Sequence, residues 1–119
     1  MRAIYKEYAI EAFRYYALCG KPNAAEIATR PVEHGAQADL MAVASLIESL
    51  EVMPDAPIWR RCLDIVYFSD PRRRLQRGAV TNRVLFAALE LSISERTVYR
   101  IMQQLQRKFA QLRGLRVSE

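Results

Sequence analysis

Apolar residues recur along this 119-residue chain at steps of three and four, and never alternate over a sustained stretch. That periodicity predicts helices and argues against a sheet. The first helix is expected from about Ala3 to Cys19. Ile4, Tyr8, Ala12, Tyr15 and Tyr16 keep helical spacing there, and Gly20-Lys21-Pro22 stops the run. Tyr5 and Phe13 widen the aromatic surface, which serves either core packing or a partner-binding face. Between Asn23 and Gly35 there is room for one short helical turn around Ala24–Ala28, broken at Pro31, and His34 reads as a loop histidine. A second helix is expected from about Gln37 to Val52, with Leu40, Val43, Ile47 and Leu50 on one side. Met53-Pro54-Asp55-Ala56-Pro57 ends it and opens the next, with Asp55 as N-cap and Pro57 in the first turn. A third helix, from Ala56 to Ser69, is expected to bury Ile58, Cys62, Ile65 and Val66 before Asp70-Pro71 breaks it.

The stretch from Val80 to Arg113 is the most informative. Val80, Val84, Ala88 and Leu91 share one helical face, Leu85 and Leu89 form a second apolar row, and Phe86 adds a third contact. A helix apolar on so many sides is expected to be surrounded by others. Leu91-Ser92-Ile93-Ser94 follows, where the Ser94 hydroxyl suits an N-cap and Glu95 suits the positive helix end. Small Ala88 permits close approach, and Val98 returns to the core. The pattern is that of a capped turn locking two helices at a steep angle, a helix-turn-helix. Along the second helix Val98, Met102, Leu105, Phe109 and Leu112 form an apolar seam. Arg96, Arg100, Gln103 and Arg107 fall on the opposite face, within an arc of about 60°. This helix, at ~28 Å, is longer than groove contact requires. Its distal residues Leu105, Phe109 and Leu112 need a cover, either the aromatic N-terminal helix or the same seam of a second copy. Two half-sites add affinity, so a homodimer is expected.

The expected architecture is therefore all-α. A helical N-terminal region, 1–54, supplies core and partner surface and packs on a helix-turn-helix region, 55–119, with a long recognition helix.

Charge sharpens this picture. The net charge of +5 divides into −3 over residues 1–58 and +8 over residues 59–119, and twelve of the thirteen cations in the second half are arginine. The arginine fork matches phosphates and guanine edges, so this half is expected to meet a polyanion. In a major groove, Arg96, Arg100 and Gln103 are the candidate base readers, by the favourable pairings of Arg with guanine and Gln with adenine. Thr97 and Tyr99 flank them, within reach of a thymine methyl group or a phosphate. Arg72, Arg73, Arg74 and Arg77 crowd the linker before Gly78 and are candidate phosphate contacts, with Arg83, Ser94 and Arg107.

Leu91-Ser92-Ile93-Ser94-Glu95-Arg96-Thr97-Val98-Tyr99-Arg100 resembles the helix-turn-helix of sigma-factor region 4. It resembles more closely that of small phage transcriptional regulators of the ArpU/RinA type. There a basic segment and a glycine, here Leu75-Gln76-Arg77-Gly78, precede the supporting helix. The likeness spans residues 75 to 115; in the N-terminal half only Tyr15-Tyr16 and Ile47-Glu48-Ser49-Leu50 share its flavour. Many such regulators carry glycine where this chain has Ser92, which a serine can replace if the backbone avoids positive φ. The resemblance implies a phage or prophage activator that acts on double-stranded DNA with RNA polymerase. Two other roles fit the same residues: a protein-interaction adaptor that contacts polymerase, and a DNA-packaging subunit that marks phage genomes.

Other chemistry finds little footing. With one histidine there is no Ser/His/Asp or Cys/His grouping, and no glycine-rich phosphate loop or clustered metal carboxylates occur, so no enzyme, cofactor or metal is expected. Glu48, Glu51, Asp64 and Asp70 read as solvated helix faces. No apolar run approaches the roughly 18 residues of a membrane span. The N-terminus lacks a signal-peptide pattern, so a cytoplasmic location is expected, with Cys19 and Cys62 as reduced core residues.

Overall fold

The computed structural model describes residues 4–69 and 79–115, with side chains from 5 and from 80 onward. Every element among these residues is helical: α1 Ile4–Leu18, α2 Ala24–Thr29, α3 His34–Leu50, α4 Ala56–Leu63 with a π-helical extension Asp64–Phe68, α5 Ala79–Leu91 and α6 Glu95–Arg113. The fold is all-α, as the periodicity predicts. No helix is long and apolar enough to cross a membrane among the described residues.

The ends of the helices follow from side chains and backbone sterics. Asn23 and Glu26 form a capping box at α2, each side chain meeting the other's amide, at 2.9 and 3.2 Å. This reciprocal pairing satisfies two otherwise orphaned amides and lets a six-residue helix exist. Helix α1 stops at Gly20, whose φ of 85° admits the 3.1 Å bond from the Lys21 amide to the Tyr16 carbonyl. Helix α6 stops in the same way at Gly114 (φ 84°), with the Leu115 amide on the Ala110 carbonyl at 2.8 Å. These are Schellman stops, which call for a left-handed residue.

Three local expectations are corrected. His34 is not a loop residue but opens α3, because the chain turns helical directly after Val32 and Glu33. Asp55 sits at the N-cap of α4, yet its side chain makes no capping bond; the turn is closed by Ile58 and Trp59 amides on the Asp55 backbone carbonyl. The third helix is not α-helical to Ser69. From Asp64 it widens into a π turn, and Ile65, Val66, Tyr67 and Phe68 are all buried. Side chains bond to three carbonyls of this turn. The Ser69 hydroxyl lies 3.0 and 2.9 Å from those of Asp64 and Ile65, and Arg83 Nη1 donates to that of Val66 at 2.9 Å.

Helix α6 is the axis of the molecule and packs against α1, α3, α4 and α5. One core cluster joins residues from both halves: Phe13 and Tyr16 from α1, Leu40, Val43 and Leu46 from α3, Tyr67 from the π turn, and Leu105 and Phe109 from α6. Phe13 meets Tyr67 at 5.0 Å and Phe109 edge-on at 5.6 Å between ring centres, the offset geometries that aromatic quadrupoles favour. Leu105 and Phe109 of the distal seam are therefore covered within this chain, Phe109 by its own first helix and not by a second copy. Tyr5, Phe13 and Tyr16 serve the core, and Tyr8 stands at its edge. At that edge the Tyr8 hydroxyl and Arg113 Nε both donate to Asp39 Oδ1, each at 2.7 Å, so one carboxylate ties α1, α3 and α6 together.

Candidate nucleic-acid interface

The turn between α5 and α6 has three residues, Ser92 to Ser94. Ser92 adopts φ 56°, and the Ile93 amide bonds the Ala88 carbonyl at 3.1 Å. This is the third Schellman stop in the molecule, and here serine stands in the left-handed position that glycine fills at 20 and 114. The expectation that the backbone would avoid positive φ at Ser92 is therefore corrected: closing so short a turn requires it. Ile93, carried past the stop, packs against the core. Ser94 then caps α6, its hydroxyl accepting the Thr97 amide at 3.1 Å.

The start of α6 is fixed in this way, and its faces separate cleanly. Val98, Ile101, Met102, Leu105 and Phe109 are buried, together with Gln106 and Ala110. Leu112, expected in the seam, is exposed, because α1 covers the seam only as far as Phe109. On the opposite side Arg96, Tyr99, Arg100, Gln103, Gln104 and Arg107 are exposed. Arg96, Thr97, Tyr99, Arg100 and Gln103 line one shallow hollow of about 420 Å³. Among the described residues no hydrogen bond or ion pair engages the heads of Arg96, Arg100, Gln103 or Arg107. Four donor-rich side chains thus face outward on a helix braced from behind, a shape and charge that suit an anionic groove.

The remaining candidates are placed differently. Thr97 is half-buried and its hydroxyl lies 2.8 Å from that of Ser94, so the two hydroxyls hold one another at the helix start. Arg83, expected beside a phosphate, turns inward to the Val66 carbonyl. Its half-buried guanidinium thereby ties α5 to the π turn. Arg72, Arg73, Arg74 and Arg77 lie outside the described residues.

Two features were missed by periodicity. Gln106 is buried, its amide donating to the Tyr67 hydroxyl at 2.6 Å; nothing in its residue type separates it from Gln103, Gln104 and Gln111, which are exposed. The outer face of α5 is not enclosed: Leu85, Phe86 and Leu89 are 46%, 56% and 73% exposed. Among the described side chains of this helix only Val84, Ala87 and Ala88 are buried, on the side that meets α4, the π turn and α6.

No group of three or more metal-ligating side chains occurs among the described residues. Compared with protein-family models, curated proteins and solved structures, the chain finds no match.

Proposed function

We propose that this protein is a sequence-specific, double-stranded-DNA-binding transcriptional regulator that seats the N-terminal half of α6, within helix 95–113, in the major groove. The observation that carries this reading is the outward row of Arg96, Arg100 and Gln103 around one hollow, with no partner for their heads among the described residues. Arg96 and Arg100 read guanine edges, and Gln103 reads adenine. Tyr99, at the rim of the hollow, contacts a thymine methyl group or the backbone, and Thr97 contributes its methyl. Arg107 and the capped start of α6 at Ser94 hold phosphates, since helix N-termini attract anions. The arginines at 72, 73, 74 and 77 add charge that neutralises the duplex without reading it. The likeness of Leu91–Arg100 to phage regulators supports a phage or prophage activator as the particular role, working in the bacterial cytoplasm.

Selection of bound sequences from a random duplex pool, followed by titration across a salt series, tests the reading. A recovered motif and a steep fall of affinity with salt are expected. Arg100→Ala then costs roughly 1–3 kcal/mol on that motif and relaxes it at one position. Absence of binding to any duplex at low salt overturns the reading, and equal losses on motif and random DNA remove Arg100 from the readers.

A second reading has its own observation. A groove of about 720 Å³ between α1 and α3 is lined by Tyr8, Tyr15, Glu7, Glu11, Glu33 and Asp39, in the half of the chain that carries net negative charge. An adaptor that docks RNA polymerase through this groove would bind polymerase without DNA and without steep salt dependence on nucleic acid.

A further inference from the structure

The exposed positions of α5 are Thr81, Asn82, Leu85, Phe86, Leu89 and Glu90. They make one stripe along the helix, repeating every four residues and symmetric about the midpoint between Leu85 and Phe86. Leu85, Phe86 and Leu89 form its centre. With Asn82 they span an arc of about 100° on the side of the helix directly away from the core. Other large apolar side chains with comparable exposure, such as Leu18, Val52 and Leu112, stand singly on other segments. Isolated cases of that kind are ordinary, whereas a run of three on one helix face marks a contact surface.

Charge narrows what can cover it. Arg83, the one cation of α5, is turned inward to Val66. Among the described residues of α5 the stripe therefore presents a single charge, Glu90, at one end, and an uncharged pair, Thr81 and Asn82, at the other. On these described positions a polyanion finds no counter-charge, and a basic peptide finds only one. An uncharged apolar surface of matching spacing is the fitting complement, and the stripe itself is one.

We propose that this face of α5 is a self-association surface, on which a second copy of the chain lays the same helix antiparallel about a two-fold axis passing between Leu85 and Phe86. In that arrangement Leu85 of one copy meets Phe86 of the other. The leucines at 89 extend the apolar seam to both sides, and each Glu90 lies against the hydroxyl and amide donors of Thr81 and Asn82. A symmetric contact of this kind closes on itself and stops at two copies. Three side chains per copy bury far less than the ~800 Å² per partner of a standard interface, so the dimer forms only at high concentration. It shares no residue with the hollow on α6.

The test is sedimentation equilibrium of the full chain without DNA, from about 5 to about 500 μM, the range set by so small a contact. The weight-average mass is expected to climb from that of one chain toward twice that value. Phe86→Glu and Leu89→Glu, both at exposed positions, are expected to keep the helical circular dichroism of the parent and to weaken the association at least tenfold. Thr81→Lys, placed opposite Glu90, is expected to tighten it, and Thr81→Glu to weaken it. A mass that stays at one chain throughout overturns the proposal, as does association that Phe86→Glu leaves unchanged. A Thr81→Lys variant that associates no more tightly overturns the antiparallel pairing. None of these outcomes depends on whether the protein binds DNA.

Discussion

The amide of Gln106 donates to the hydroxyl of Tyr67 at 2.6 Å, across 39 positions of sequence and inside the apolar core. A buried donor with a partner contributes modestly, but one left without a partner is costly. Tyr67→Phe should therefore cost about 1–3 kcal/mol, although it removes only one oxygen. Adding Gln106→Met to Tyr67→Phe should recover most of that loss, because the stranded amide goes with it. Urea unfolding of the two single variants and the double variant measures the coupling, and simple additivity would contradict the pairing.

Two arginines of the same region should separate by role. Arg83 donates to the Val66 carbonyl of the π turn. Arg83→Ala should lower stability by about 1 kcal/mol and leave the salt dependence of DNA affinity unchanged. Arg107 is exposed, and Arg107→Ala should do the reverse: stability is unaltered, and the salt slope is shallower by about one unit. Melting curves and anisotropy titrations read the two effects independently.

Ser92 holds φ 56° in the turn between α5 and α6. A left-handed conformation costs an L-residue roughly 1–2 kcal/mol, and glycine escapes most of it. Ser92→Gly should raise stability by about 1 kcal/mol, and Ser92→Val should lower it by more, since a β-branched side chain is least tolerated there. A lower melting temperature for Ser92→Gly would show that the serine is not strained.

The two thiols should behave differently. Cys62 is fully buried, and desolvation pushes its thiol from the ordinary 9.0 up to about 11. The unfolded chain therefore loses this proton at lower pH than the folded one. The resulting stability is fully present below about pH 9 and is lost as pH rises toward 11. Burial also raises the phenols of Tyr16 and Tyr67, which add losses of the same sign at higher pH. Denaturant midpoints should fall from about pH 9 upward, and Cys62→Ala should blunt the onset. In the folded protein a thiol reagent should modify half-exposed Cys19 quickly and Cys62 only on unfolding.

Much of this fold was legible in short-range signals. Gly20, Pro22 and Ser94 mark helix ends through local sterics and capping, so those boundaries fall where the residues place them. The seam from Val98 to Phe109 and the arginine row opposite it follow from one periodicity, and the structure brings five of the candidate readers to one hollow. What was illegible depends on distant partners. The π turn at Asp64–Phe68 is sustained by Ser69 and by Arg83 from another helix, which no local pattern announces. Gln106 is buried because Tyr67 reaches it from far along the chain. The openness of α5 escaped for a different reason. Residues apolar on several sides read the same whether neighbours enclose the helix or it keeps a bare flank, and periodicity does not count neighbours.

Phe109 of α6 is gripped by Phe13 and Tyr8 of α1, near the opposite end of the sequence. Melting should accordingly run as one sigmoid in which tyrosine absorbance and backbone ellipticity change together. Excising the opening helix would leave α6 without its backing, a fragment whose arginines remain but no longer share a direction.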